Sequence, residues 1–205
     1  MLKVFILTEG GKNIGFGHIT RCTALYQAFE EKGIIPKFIV NGDESVLDLL
    51  KDLNYRLLNW IDKKEELFDL VKGVDVAIID SYLADKDIYK TISEYVKISV
   101  YLDDNKRLDY PKGIVVNGAI YAQELKYPAK KGLTYLLGSK YMPLRKEFWD
   151  VPEKEIKENI ESVMITFGGD DMRNMTPKVL RLLQNNFPDL IKNVVIGKGF
   201  KNICE

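Results

Sequence analysis

Residues 3–32 read KVFILTEGGKNIGFGHITRCTALYQAFEEK. In the run Lys3–Thr8 the residues Val4–Leu7 are continuously apolar, as in a strand covered on both faces. From Ile19 onward Ile19, Cys22, Leu25, Tyr26 and Phe29 recur at three- and four-residue steps, which is helical spacing. Between them lie Gly10, Gly11, Gly15 and Gly17 and the only histidine of the chain, His18. The order strand, glycine-rich loop, helix predicts an α/β fold, because a parallel sheet needs a helical crossover between its strands.

Working outward, the same alternation continues. Lys37–Val40 precedes a helical Ser45–Leu53, a short strand near Tyr55–Asn59 precedes Lys63–Val71, and Val74–Asp80 precedes Asp87–Tyr95. Further strands are read at Ile98–Leu102, Ile114–Asn117 and Tyr135–Leu137. Residues 151–160 (VPEKEIKENI) interrupt the pattern with proline and charge and read as a linker. Residues 161–205 then reopen it with a strand Ser162–Phe167, a second glycine-rich loop, a helix and a strand Val194–Ile196. The prediction is a Rossmann-like parallel-sheet domain over residues 1–150 and the start of a second α/β domain over 161–205. About 45 residues is small for a domain, so the expectation is either a partner chain that completes it or a sequence that stops short of its end, and the unpaired sheet edge of a partial domain would favour a homodimer.

Composition narrows the function classes. The chain has 205 residues, and 30 basic residues balance 30 acidic ones. No basic footprint points to nucleic acid, and no long apolar segment points to a membrane. Cys22 and Cys204 form neither a disulfide framework nor a metal-ligand spacing, which suits a reducing, cytoplasmic setting. No metal or other cofactor is implied.

The glycine loop suits an anionic ligand, since glycines let the backbone approach it and a helix N-terminus offers free N–H groups to phosphate. Gly15-x-Gly17-x-x-Thr20 approaches a dinucleotide fingerprint, but the loop is longer than such a turn and a histidine interrupts it. A Walker loop is excluded because no GK[ST] follows. His18 itself has two readings. It either satisfies the helix end, or serves as a general base whose neutral form is favoured by the positive end of the helix dipole. Asp80, Ser81 and Tyr82 end one strand and Asp103 and Asp104 follow another, at the sheet edge where ligands of open α/β sheets bind. Capping and turn roles remain open for these carboxylates.

Five motifs then fall in order. They are G-x-G-H-x-x-R (Gly15–Arg21), D-x-Y (Asp80–Tyr82), the pair Asp103–Asp104, L-G-x-x-Y-x-x-L-R-x-x-F (Leu137–Phe148), and T-F-G-G-x-D-x-x-N-x-T (Thr166–Thr176). This series resembles the UDP-sugar hydrolases of pseudaminic acid biosynthesis and the related spore-coat polysaccharide proteins. The resemblance implies a two-domain glycosyltransferase-B-like architecture with a site in the cleft between domains. It implies His18 and Tyr82 as catalytic residues, and Gly15, Gly17, Arg21, Asp80, Gly168, Gly169, Asp170 and Asn174 as substrate-binding residues. The implied reaction is removal of UDP from a diacetamido-trideoxyhexose by water, with inversion and with His18 assisting the attack. A UDP-sugar-dependent glycosyltransferase and an inactive or partner-dependent subunit are the alternatives. In such an architecture later parts of the second domain carry most nucleotide contacts, so weak UDP binding is expected of these 205 residues.

Overall fold

A computed structural model describes residues 2–169, 171–197 and 199–200. The chain divides into two compact units, Met1–Val151 and Pro152–Glu205. The first is built on a seven-stranded sheet: β1 (Val4–Gly10), β2 (Lys37–Gly42), β3 (Tyr55–Leu57), β4 (Val76–Asp80), β5 (Ile98–Leu102), β6 (Gly113–Asn117) and β7 (Leu133–Leu137). All neighbours are parallel and the order is β3-β2-β1-β4-β5-β6-β7. The sheet is Rossmann-like: the chain winds outward from β1 to β3, then returns and continues from β4 on the other side.

Strand alternation sorts the core into two layers. Val4, Ile6, Phe38, Val40 and Ile78 face α1 (Gly17–Glu30) and α2 (Leu47–Leu50), packing on Ile19, Cys22, Tyr26 and Leu50. Phe5, Leu7, Ile39, Ala77 and Ile79 face the other way, onto Leu67 and Val71 of α3 (Lys64–Val71) and Ile88, Tyr89 and Ile92 of α4 (Lys86–Tyr95). Ile6 and Leu7 are wholly buried, each contributing about 1.5–3 kcal/mol of apolar burial. Both faces are covered, as the continuous apolar runs predict.

Strand bounds shift by two residues at β7, which starts at Leu133, and at the strand read over Ser162–Phe167, which ends at Ile165, and three further details differ from the sequence reading. β1 runs on to Gly10, with Thr8 and Glu9 buried despite their polarity. The helix read over Ser45–Leu53 is a 3₁₀ turn, Glu44–Val46, followed by the single turn of α2. The last strand lies at Ile191–Val194, earlier than Val194–Ile196.

The second unit contains β8 (Ser162–Ile165), α5 (Met175–Asn186) and β9 (Ile191–Val194), and β8 pairs with β9 in parallel. Residues 151–161 form no helix or strand. No helix among the described residues is long and apolar enough to cross a membrane.

Candidate active site

In an open parallel sheet the crevice lies outside the carboxyl ends of the two strands between which the winding reverses. Here those strands are β1 and β4, and Asp80, the last residue of β4, sits beside Thr8 of β1, two residues before that strand ends. The loop after β1 delivers His18 to that point, and the turn after β4 delivers Tyr82.

The loop is stapled at its base. Gly11 N–H donates to Gly15 O at 3.0 Å and Gly15 N–H to Gly11 O at 2.8 Å, while the Asp43 carboxylate accepts the Lys12 N–H at 3.0 Å. Gly15 has φ of +85°, a conformation open to glycine at little cost. A Cβ added at Gly15 or Gly17 would meet nothing within 4 Å, so the space next to the loop backbone is open at both positions. α1 starts at Gly17 with Phe16 as its N-cap, without a side-chain cap and without an acidic residue in its first turn. Its first N–H groups therefore retain their capacity for an anion.

Asp80 is the hub of the site. It is fully buried, and its Oδ1 accepts His18 Nδ1 at 2.7 Å and Arg21 Nη2 at 2.6 Å. Its Oδ2 accepts Arg21 Nε at 2.8 Å and the Cys22 thiol at 3.6 Å. Burial pushes the Asp80 carboxyl up, but the hydrogen bonds from His18 and Arg21, with the Arg21 charge, outweigh burial and hold it below the ordinary carboxylate range. An ionised carboxylate only accepts, so the bonded Nδ1 carries a proton. In the neutral ring the other nitrogen, Nε2, then presents a lone pair. Burial disfavours the Arg21 charge, but its bonds to Asp80 and Asp104 more than reverse this and raise its pKa. Burial and the Asp80 charge push the Cys22 thiol up, so it stays protonated.

Tyr82 packs edge-on against His18, with ring centroids 4.7 Å apart. Its phenol donates to Asp104 Oδ2 at 2.6 Å, and Asp104 Oδ1 accepts Arg21 Nη1 at 2.5 Å. Burial and the Asp104 carboxylate push the Tyr82 phenol up to about 12, which makes it a neutral donor across the working pH range. Arg107 clamps the turn from its carbonyl side, donating to Ser81 O at 2.9 Å and to Tyr82 O and Ala84 O at 3.3 Å.

The structure thus brings together His18, Arg21, Asp80 and Tyr82, with Gly15 and Gly17 beside them. Arg21 is spread across two carboxylates at one edge of the site. Glu9, Asp104 and Arg107 belong to the same cluster and were absent from the sequence-derived set. Asp104 belongs to the Asp103–Asp104 motif at the sheet edge, where the sequence leaves a capping or turn role open, and no local pattern marks the other two.

Gly168, Gly169 and Asn174 lie in the second unit, between β8 and α5. Gly168 has φ of +77° and Asn174 φ of +50°, and Gly169 O accepts Gly199 N–H at 2.9 Å. Asp170 and Cys204 are outside the described residues. Asp171, the acid of T-F-G-G-x-D, accepts Met175 N–H at 2.8 Å and Thr176 N–H at 2.7 Å, so α5 is capped where α1 is open. Among the described residues no three His, Cys, Asp or Glu side chains converge as a metal site.

No family model matches the chain. It is 31% identical, over 214 aligned positions covering 98% of it, to an uncharacterized protein of Methanocaldococcus jannaschii. It is 27% identical, over 188 positions covering 87% of it, to the UDP-2,4-diacetamido-2,4,6-trideoxy-beta-L-altropyranose hydrolase of Campylobacter jejuni. The chain spans 43% of the first relative and 64% of the second, and it is a distant homologue of both.

Proposed function

We propose that the chain carries the catalytic loop of a nucleotide-sugar hydrolase that releases UDP from a diacetamido-trideoxyhexose. The observation that carries this reading is the Asp80–His18 hydrogen bond at the β1–β4 crevice, beside an uncapped helix N-terminus. Distant homology to a UDP-sugar hydrolase supports the substrate class.

In the proposed reaction His18 Nε2 takes a proton from a water molecule as that water attacks the anomeric carbon. Asp80 fixes the ring and balances the imidazolium that forms. UDP departs from the opposite face, which inverts the anomeric centre. The diphosphate is already a good leaving group, so the step asks less of a general acid than glycoside cleavage does. The open N–H groups of the first turn of α1, with Gly15 and Gly17, are proposed to face the diphosphate. Arg21 acts by holding Asp80 and Asp104 in place, and Tyr82 walls the imidazole and offers its phenol to the sugar. Gly168, Gly169, Asp170 and Asn174 are proposed to complete the substrate contacts in a glycosyltransferase-B-like arrangement.

Phosphorus NMR of UDP release tests the reading. His18→Asn should lower kcat by roughly 10²–10⁴, the usual contribution of a positioned general base, and leave the fold intact. Unchanged turnover would reduce His18 to a structural residue. Release of UDP only when a sugar acceptor is added would instead identify a transferase.

A further inference from the structure

Asp80 is not the only carboxylate that faces His18. Glu9, next to the end of β1, is 1% exposed, and its Oε1 lies 3.9 Å from Nε2, the ring nitrogen that Asp80 leaves bare. Among the described residues His18 is the only basic side chain within 4.0 Å of this carboxylate.

Its remaining contacts hold it in place. Oε2 accepts the Ser81 hydroxyl and Oε1 accepts the Tyr82 N–H at 2.7 Å. Ser81 Oγ itself accepts Leu83 N–H at 3.1 Å and Ala84 N–H at 3.0 Å, so its single proton is committed to Glu9. A hydroxyl or amide oxygen could serve that turn without a buried charge, which is expensive unless fully paired.

The gap between Oε1 and Nε2 is too long for a direct hydrogen bond. It does fit one oxygen atom touching both, since a water about 2.8 Å from each would see them at roughly a right angle. Oε1 keeps a free lone pair after accepting from Tyr82.

We propose that Glu9 is a further catalytic residue, holding the attacking water together with His18; the inference rests on the hydrolase reading above. Nε2 accepts one hydrogen of the water and Glu9 Oε1 the other, which turns a lone pair of its oxygen toward the sugar. As the new O–C1 bond forms, the bond from C1 to the diphosphate oxygen breaks and its electron pair leaves with UDP. The water proton passes to Nε2. Glu9 takes no proton, its charge stabilises the imidazolium, and His18 then returns the proton to solvent.

Two substitutions separate this role from a purely structural one. Glu9→Gln places an amide where the charge was. Ser81→Ala breaks the same Ser81–Glu9 bond and leaves the carboxylate facing His18. The kcat of Glu9→Gln should fall by about 10²-fold with KM within about threefold of wild type. Ser81→Ala should lose less than about tenfold, since the water keeps both of its partners. Should Glu9→Gln fail to fold, Glu9→Asp decides: it keeps the charge but withdraws it by one methylene, and its kcat should fall while KM holds. Equal losses in Glu9→Gln and Ser81→Ala, or undiminished kcat in Glu9→Asp, would overturn the inference while wild-type turnover preserved the hydrolase reading. Absence of UDP release by the wild-type chain would overturn both.

Discussion

At the residue scale, function converges on Asp80, and so does a measurable stability effect. Its pKa is depressed in the folded state, so its contribution is present above the unfolded value of about 4 and is lost as pH falls through the folded one. Acid denaturation of the wild type should therefore show a loss of stability below about pH 4 that Asp80→Asn lacks. At neutral pH the same substitution leaves Arg21 with Asp104 alone and should cost about 3 kcal/mol in a denaturant melt, the low end of what removing one partner of a buried ion pair costs. An Asp80→Asn protein as stable as wild type at pH 7 would contradict the hub. Tyr82→Phe removes the phenol, with its bond to Asp104 and its proposed contact to the sugar, and keeps the ring against His18, so kcat should fall less than about tenfold, and Tyr82→Ala should fall further. His18, Asp80 and Tyr82 were legible because each stands at the end of a recognisable strand or loop. Asp104 was legible as a position at the sheet edge but not as a partner of Arg21 83 residues away, and Glu9 and Arg107 were not legible, because they are defined by partners 72 and 26 residues away.

At the element scale, the glycines of the sheet edge divide into two kinds. Gly42 of β2 lies beside Gly10 of β1, and a Cβ on Gly42 would sit 2.5 Å from the Gly10 carbonyl oxygen. Backbone has no rotamer with which to retreat, so Gly42→Ala should destabilise the protein by about 1–3 kcal/mol, read as a lower denaturant midpoint. Gly17 opens α1, and a Cβ there meets nothing. Gly17→Ala should leave the melting temperature unchanged or slightly raised, since alanine is the better helix former, and should raise KM for the UDP-sugar by crowding the proposed diphosphate position. A fall in stability with unchanged KM would assign Gly17 to the fold alone. Helical periodicity found α1 and α4 within two residues, because their apolar stripes are regular. The strand reading stopped at Thr8 and missed Glu9 and Gly10, because Glu9 is a charged residue in a buried strand, a local contradiction of the kind that functional sites impose.

At the scale of the whole molecule, the apolar runs predict a parallel sheet covered on both faces but not its order, and the order is what makes the site. Only because β4 lies beside β1, with β2 on its other flank, do Asp80 and His18 meet at the reversal point. All seven strands, both core layers and the cluster around His18 lie within Met1–Val151. Residues 1–151 expressed alone should therefore fold cooperatively. With a single histidine in the sequence, nitrogen-15 NMR should find the neutral imidazole protonated at Nδ1, as the bond to Asp80 requires; a proton on Nε2 would contradict the geometry. The central claim, attack by a His18-held water on the anomeric carbon, is tested most directly by running the UDP-sugar reaction of the full chain in ¹⁸O-labelled water. The account predicts the label on C1 of the released, inverted sugar and none in UDP. Label in the phosphate of UDP, from attack at phosphorus, would contradict it.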